Sequence, residues 1–302
     1  MTTKATPSDG QHRVSATFAR RLAWPLAAAA VVGAGLALGA SRWQRKTSRL
    51  HAGLESARIR IPTSAHEVES LDGLPPPVQR YLRIALKPGQ AMISAARLRQ
   101  VGTINLSASG ERWKPFSADQ RIVVRRPGFD WDACIRAFPG ATVRVHDAYV
   151  DGEGLLEASL WGLVPLAETR GTPEAAHGEL IRFLAEAAWY PTALLPRQGV
   201  RWEAVDANSA RAILDDGATR ATLLFTFDSA GLVESARAEA RGAAVGKTVV
   251  LMPWEGRWSN YQMRDGMLVP TEGEAAWLTP QGRKPYWRGS LDAISFEYEP
   301  VS

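Results

Sequence analysis

Acid–base chemistry by carboxylates is the reaction type that this sequence offers most readily. Glu186, Asp147, Asp151 and Glu157 all lie in the body of the chain. A hydrolase acting on carbohydrate or ester needs two such groups about 5 to 10 Å apart across a cleft, and Glu186 with Asp147 or Asp151 is the pair to consider. The other interpretation is surface charge or, for Glu186, a salt bridge to Arg182 four residues earlier. The hydrolase stays an alternative, with no residue assigned as catalytic.

Histidine, cysteine and phosphate-binding patterns give weaker signals. Of the five histidines, His146 and His177 fall in the body, and in a predicted strand His146 and Asp147 must point to opposite faces. The single cysteine, Cys134, excludes an internal disulfide framework and a multi-cysteine zinc or iron–sulfur site. Residues 242–248 are one residue short of a phosphate-binding loop and precede a β-branched run. We therefore expect neither a metal nor a cofactor.

Tryptophan is the unusual part of the composition. Of the eleven tryptophans, nine follow residue 72. An indole is costly to expose, yet its N–H needs a partner, so tryptophan is common where an apolar cavity meets water. Most of the nine are expected to be core residues, but several on a concave sheet face would form a pocket for an acyl chain or a stacking platform for sugars. The predicted ligand-binding residues are Trp161, Trp189, Tyr190, Trp202, Phe225, Arg182 and Glu186.

Alternating apolar and polar residues predict a body made mainly of antiparallel strands. A period of two begins at Ala96. Further strands are expected at 120–125, 142–150, 155–160, 200–205, 210–215, 219–227, 233–240, 248–252, 256–264 and 286–298. The Asp-Gly pairs at 151–152, 216–217 and 265–266 lie between strand candidates and are typical of hairpin turns. Strands and helices do not alternate, so a doubly wound nucleotide fold is not expected.

Two helices are predicted to accompany the sheet. Residues 78–86 have apolar side chains at helical spacing after a run of three prolines. The second helix has Thr172 as its N-cap and Pro173 at its first position, and it must end before Pro191. The sequence thus predicts an α+β fold: a large curved antiparallel sheet with one or two packed helices, preceded by a single transmembrane helix.

That transmembrane helix is predicted from charge and hydropathy. Residues 1–60 hold ten Lys/Arg and two Asp/Glu, a balance of +8, whereas the other 26 basic and 29 acidic residues give −3. The apolar run opens at Leu22 and closes at Ser41, with no charge over a length that can cross a bilayer. Signal-peptide cleavage after small residues is the alternative, and the basic cluster that starts at Arg42 disfavours it.

These patterns predict four segments. They are a basic disordered leader at 1–21, the transmembrane helix at 22–41, a polar linker at 42–72 and a single α+β domain at 73–302. The interspersed charges of the body do not favour nucleic-acid binding. We expect a single-pass protein of the cell membrane with an extracytoplasmic body; the oligomeric state is open.

Two segments resemble an uncharacterised bacterial family, a domain of unknown function. They are LPPPVQRYL at 74–82 and RFLAEAAWYPTALLP at 182–196, and the resemblance covers about 72–299. Because that family has no established activity, the resemblance implies no catalytic residue. More loosely, the repeated hairpins, the helix against a sheet and LLFTFDSAG at 223–231 look like the open half-barrel of bacterial lipoprotein carriers.

The leading hypothesis is a membrane-tethered envelope protein that binds a hydrophobic ligand, such as a lipid, without catalysis. The helix before Pro191 would act as a lid over the ligand. The alternatives are the carboxylate hydrolase and a non-catalytic scaffold that presents its sheet to a partner. A cavity smaller than about 300 Å³ would favour the scaffold.

Overall fold

Segments of alternating polarity, separated by tight turns, form one antiparallel sheet. The computed structural model describes residues 11–60, 71–107, 110–245 and 248–300, with side chains from residue 29 onward except at 244, 245 and 248. Within these residues the sheet has thirteen strands: β1 Ile93–Asn105, β2 Trp113–Val123, β3 Gly128–Phe138, β4 Ala141–Val150, β5 Glu153–Leu160, β6 Val164–Arg170, β7 Arg201–Ala204, β8 Ser209–Asp216, β9 Thr219–Phe227, β10 Val233–Val245, β11 Thr248–Arg264, β12 Met267–Thr279 and β13 Gly282–Tyr298.

The sheet consists of two meanders joined side by side. Strands β1 to β6 pair with their sequence neighbours, as do β7 to β13, and β1 pairs antiparallel with β13 at the join. The Asp-Gly turns are confirmed: Asp151 and Gly152 have φ of 53° and 86°, and Asp265 and Gly266 have 48° and 79°. Two successive positive φ values are the geometry of a type I′ hairpin turn, which matches the strand twist.

The segment from β6 to β7 crosses one face of the sheet. It holds helix α3, Pro173–Glu186, and three short 3-10 turns, Ala187–Trp189, Pro191–Leu194 and Pro196–Gln198. Here α3 is numbered after α1, Gln11–Ala57, and α2, Pro76–Ala85. The predicted N-cap is confirmed, since the Thr172 hydroxyl accepts a hydrogen bond of 3.1 Å from the Ala175 amide.

The sheet curves around α3. This helix contacts β3, β4 and β5 as well as β9 and β10. Strands β5 and β9 are nine positions apart in the sheet, about 43 Å if the sheet were flat, whereas a helix is about 10 Å wide. The expected α+β architecture, a large curved antiparallel sheet with a few helices, is therefore confirmed for the described residues.

Helix α1 packs on the opposite, convex face. The Trp43 ring stacks on His146 with centroids 4.4 Å apart, and its Nε1 donates to Asp132 at 2.8 Å. The Thr47 hydroxyl lies 3.1 Å from both Asp132 Oδ2 and His146 Nε2, and Leu54 is buried. Residues 42–57, part of the expected linker, are thus helical because one stripe of α1 finds partners on β3 and β4.

The membrane prediction concerns the first half of α1. No helix among the described residues has a stretch both long and apolar enough to cross a membrane. Residues 1–10 of the expected leader and 61–70 of the linker lie outside the described residues, as do the side chains of 22–28 in the expected span. The division of the chain into four segments stays a prediction.

Candidate functional site

An aromatic wall forms where β11, β12 and β13 face α3. Trp254, Gly256 and Trp258 alternate along β11, so all three point to the concave face. Across the sheet, Ala275 lies between Gly256 and Trp287 in register. The segment after α3 adds a ring from above, since the Trp189 and Trp287 centroids are 6.3 Å apart.

A row of three glycines forms the floor beside this wall. Gly102 of β1, Gly289 of β13 and Gly273 of β12 are direct cross-strand neighbours. A Cβ on Gly273 would lie 3.3 Å from both the Trp189 and the Trp287 rings, and one on Gly289 would overlap the Trp287 ring. The glycines are required here because aromatic rings lie directly over the backbone.

These rings line a cavity between α3 and the sheet. Its volume is about 90 Å³. The apolar and aromatic lining residues include Ile104, Trp131, Trp189, Trp254, Trp258 and Trp287, and the polar ones include Asp147, Arg182, Glu186, Arg241 and Tyr286. The cavity therefore has an apolar, aromatic side on the sheet and a charged side beneath the helix.

The charged side is built around Arg182 of α3. Its Nε donates to Glu186 Oε1 at 2.7 Å, and its Nη1 donates to Asp147 Oδ2 of β4 at 2.6 Å. The guanidinium also lies over the Phe129 and Trp131 rings, 4.9 and 5.2 Å from their centroids. These contacts of a buried arginine join the helix to the sheet.

A chain of amides continues from Glu186. Gln120 Nε2 donates to Glu186 Oε2 at 2.6 Å, Gln100 Nε2 donates to Gln120 Oε1 at 3.2 Å, and Trp131 Nε1 donates to Gln100 Oε1 at 2.8 Å. Both oxygens of Glu186 are thereby engaged.

Arg241 of β10 holds the other end of α3. Its Nε donates to the Gly178 carbonyl at 3.1 Å and its Nη1 donates to the Tyr286 hydroxyl at 3.2 Å. Its Nη2 lies 3.6 Å from Glu179 Oε1, and its guanidinium stacks 5.0 Å from the Trp254 centroid. Glu179, Arg182 and Glu186 follow each other at i, i+3 and i+7, so one face of α3 carries all three.

Glu179 of α3 is a buried carboxyl beside Asp147. Burial and then the negative charge of Asp147 raise the pKa of the Glu179 carboxyl to about 8, against opposing effects of Arg241 and Arg182. Glu179 Oε2 and Asp147 Oδ1 are buried and have no donor among the described residues. A proton on Glu179 supplies that donor, since the two carboxyl groups are in hydrogen-bonding contact.

Two hydrogen-bond donors at the cavity are unused. Trp189 Nε1 and Trp258 Nε1 are buried and have no acceptor among the described residues. Buried indole N–H groups normally find a partner. Two of the rings that line the cavity thus carry buried N–H donors without an acceptor among the described residues.

The structure brings together three of the seven predicted ligand-binding residues. Trp189, Arg182 and Glu186 line the cavity. Tyr190 lies just behind it, fully buried, with its hydroxyl donating to the Phe183 carbonyl at 2.7 Å.

The other three lie elsewhere. Trp202 packs edge-on against the buried Phe225 near the β7 edge of the sheet, with its Nε1 donating to the Leu194 carbonyl. Trp161 is half-exposed in the turn between β5 and β6. Of the carboxylates considered for catalysis, Asp147 and Glu186 line the cavity, whereas Asp151 pairs with Arg126 and Glu157 with Lys46, away from it.

Sequence reasoning missed the strand tryptophans and Arg241. A signal was present in the alternation Trp-x-Gly-x-Trp at 254–258, repeated in part as Trp-x-Gly at 287–289. In a strand this spacing places the tryptophans and the glycine on the same face. An indole ring can then lie over the backbone of the glycine, which has no side chain.

The fold and site define a class of protein: a curved antiparallel sheet that wraps a helix, with an aromatic and ionic cavity between the two. By its sequence the chain belongs to DUF6920, a family of unknown function, whose profile matches residues 72–296. The predicted family resemblance is confirmed.

Other comparisons add little about function. Among solved structures, a LolA superfamily protein from Nitrosomonas europaea is similar with a TM-score of 0.35 and 10% identity, over 74% of this chain and 93% of that one. No conclusion about the fold or a ligand rests on this likeness. A comparison with curated proteins gave no match.

Proposed function

We propose that this chain is a membrane-tethered, non-catalytic protein whose body binds the apolar part of a lipid-like ligand in the cavity under α3. The observation that carries the proposal is the cavity lining. Aromatic rings over a glycine floor line it, and the indole N–H groups of two of these rings have no acceptor among the described residues; such a combination of apolar wall and few polar groups is typical of small-molecule sites.

The charges at the cavity indicate the polar part of the ligand. Arg182 and Arg241 contribute two positive charges, Asp147 and Glu186 two negative ones, and Glu179 is protonated at neutral pH. The cluster is therefore neutral. An uncharged hydrogen-bond acceptor, such as an ester carbonyl, fits the free donors better than a free phosphate or carboxylate does.

Ligand entry requires α3 to move. The cavity of about 90 Å³ is well below the roughly 300 to 1,000 Å³ of small-molecule sites. Helix α3 and the Ala187–Trp189 turn form its roof, and Arg182 and Arg241 join α3 to β4 and β10. Helix α3 is the lid in this proposal, and its opening breaks these polar contacts and exposes the buried Leu180, Ile181 and Leu184.

The tether is supported by the exposure of α1. From Ala29 to Leu38 every α1 residue is uncharged and, apart from half-buried Gly35, exposed; among them are Val31, Val32, Leu36 and Leu38. A helix that is apolar all round is either buried or in a membrane. The basic residues that start at Arg42 follow directly, as at the end of a membrane span. We place the body outside the cytoplasm because a tryptophan-rich body with a single cysteine suits the cell exterior.

Photo-crosslinking tests the ligand site in the intact chain. A small diazirine amino acid replaces Ile104, which lines the cavity, or Ile213, a half-buried isoleucine of β8 that does not. After irradiation in the bacterial envelope, we expect a lipid adduct by mass spectrometry at position 104 and none at 213. Trp258→Ala should reduce the adduct, and Trp202→Ala should leave it unchanged.

Equal labelling at the two isoleucines, or no adduct at position 104, overturns the proposal. A chain without adduct matches the scaffold alternative, which the small cavity favours. The hydrolase alternative draws on Asp147 and Glu186 at the cavity, but Arg182 and Gln120 engage three of their four oxygens. Detection of the cleaved ligand, lost in Glu186→Gln, would instead support the hydrolase.

A further inference from the structure

Helix α1 leaves the body of the protein at a close contact with the β5–β6 hairpin. Gly39 is buried between exposed neighbours on α1. A Cβ at this position would lie 2.5 Å from the Trp161 carbonyl oxygen and 2.7 Å from Leu163 Cγ. Gly162 approaches from the other side, where its Cβ would lie 2.9 Å from the Gly39 carbonyl oxygen. The hairpin tip is thus packed on the backbone of the helix at the point where the helix departs.

Large apolar residues are exposed on this hairpin and at the end of β3; they are defined here as the apolar patch: Phe138, Trp161, Val164 and Leu166. The exposed fractions are 68%, 37%, 50% and 54%. Trp161 Nε1 donates to the Gly140 carbonyl, which joins the hairpin to the β3–β4 turn beside Phe138. An edge strand with large exposed apolar residues invites aggregation unless another surface covers it, and β6 is such an edge.

A basic cleft lies next to the patch. It has a volume of about 450 Å³ between α1 and the hairpin, and its lining includes Arg42, Arg45, Lys46, Arg49 and Leu163. Lys46 pairs with Glu157. Among the described residues, no carboxylate pairs with the three arginines of the cleft. Cationic side chains beside apolar ones match the layer where lipid phosphates meet acyl chains.

The positions along α1 agree with such a layer. Helical rise places Arg42 to Lys46 about 4 to 11 Å beyond Gly39. The headgroup region of a bilayer leaflet is roughly 5 to 8 Å thick. If the apolar stretch that ends at Gly39 spans the hydrocarbon, the patch lies at its border and the cleft lies among the headgroups.

We propose that the β5–β6 hairpin is a second membrane contact, with its apolar patch at the bilayer interface beside α1 and an anionic lipid headgroup in the basic cleft. This contact rests on the proposed tether and not on the ligand cavity. It holds the β6 edge of the sheet against the membrane and leaves the β7 edge away from it.

Fluorescence quenching by brominated lipids tests this contact in the full chain. In a Cys134→Ser background, a bimane probe is attached at Val31→Cys, Val164→Cys or Val205→Cys. Val205 is the matched control, since it is 46% exposed and lies just after β7. The protein is reconstituted in phosphatidylcholine vesicles containing phosphatidylglycerol. We expect strong quenching at 31 and 164 and none at 205.

The three probes separate the tether from the hairpin contact. Quenching at 31 with equal signals at 164 and 205 overturns the hairpin contact and leaves the tether. No quenching at 31 or 164 overturns both, whereas quenching at 164 alone supports a surface contact without a span.

Charge removal tests the headgroup site separately. Native mass spectrometry of the full chain compares the phosphatidylglycerol and phosphatidylcholine that it retains. A charge near the surface contributes about 1 kcal/mol, so each of Arg42→Gln and Arg45→Gln should lower the preference for phosphatidylglycerol about fivefold. Arg211→Gln and Arg237→Gln, on exposed arginines of β8 and β10, should not change it. An unchanged preference in the first two variants overturns the headgroup site.

Discussion

Protonation of Glu179 predicts a specific dependence of stability on pH. The pKa of this carboxyl is about 8 in the folded protein, because of burial and the neighbouring Asp147, against an ordinary value of 4.5. The native state therefore holds the proton more tightly than the unfolded chain does. The contribution of this group to stability is complete below pH 4.5 and is lost as the pH rises towards 8.

The size of the effect follows from the two pKa values. One pH unit corresponds to about 1.4 kcal/mol, so the loss between pH 4.5 and 8 amounts to about 5 kcal/mol at most. Glu179→Gln keeps a neutral donor for Asp147 and removes the titration. We expect the variant to be close to the parent in stability at pH 5 and clearly more stable than the parent at pH 8.

Denaturant unfolding of the solubilised full chain from pH 5 to 8 measures this difference. The control is Glu203→Gln, at an exposed glutamate of β7 that pairs with Arg211. Its free energy of unfolding should change with pH in the same way as that of the parent. An infrared carbonyl band of a buried carboxylic acid should be present in the parent at pH 7 and absent in Glu179→Gln. If the free energy of unfolding changes with pH in the same way in the parent and in Glu179→Gln, the protonation of Glu179 is refuted.

Three further perturbations test the packing around the site. Arg182→Leu leaves two buried carboxylates without their cation and should lower the free energy of unfolding by about 3 to 5 kcal/mol, whereas Arg201→Leu, at an exposed ion pair, should cost less than about 1 kcal/mol. Gly102→Ala would place a Cβ against a backbone carbonyl and should cost about 1 to 3 kcal/mol in thermal or chemical unfolding; Gly110→Ala, with no neighbour within 3.7 Å, should be nearly neutral. Trp43→Ala removes the stack and hydrogen bond that hold α1 and should make residues 42–57 sensitive to trypsin, and equal digestion of variant and parent would contradict the docking of this helix.

Local signals in the sequence predicted much of the fold. The Asp-Gly turns place the hairpins, and Thr172 with Pro173 places the start of α3, because these signals depend on backbone geometry within a few residues. The opposite directions of His146 and Asp147 were also predicted correctly: His146 meets α1, and Asp147 meets Arg182. The alternation of successive side chains along a strand is sufficient for that prediction.

Three strands were not predicted, for different physical reasons. Strand β3 does alternate, with Phe129, Trp131, Ala133 and Ile135 on the concave face, but its Asp130 and Asp132 are covered by α1 on the convex face. Strand β6 is exposed almost throughout, and its alternate positions change from apolar Val164 and Leu166 to charged Glu168 and Arg170. Strand β12 contains Pro270 and Gly273, which interrupt a strand pattern.

The site was only partly predictable because it depends on register between distant strands. Trp254, Trp287 and Arg241 meet only after β10 to β13 have paired and α3 has crossed them. Residues on one short segment, Arg182, Glu186 and Trp189, were found because helical spacing already groups them.

The join between β1 and β13 also determines when the protein can finish folding. Ile93 pairs with Tyr298, 205 positions later in the chain. During synthesis, the first meander emerges with β1 as an unprotected edge and waits for the last strand to be made. Contacts this distant in sequence form slowly. Until they form, the unpaired edge of β1 can pair with strands of other molecules. A chain truncated after β12 should therefore aggregate, although it keeps the first meander, six of the seven strands of the second and the whole of α3.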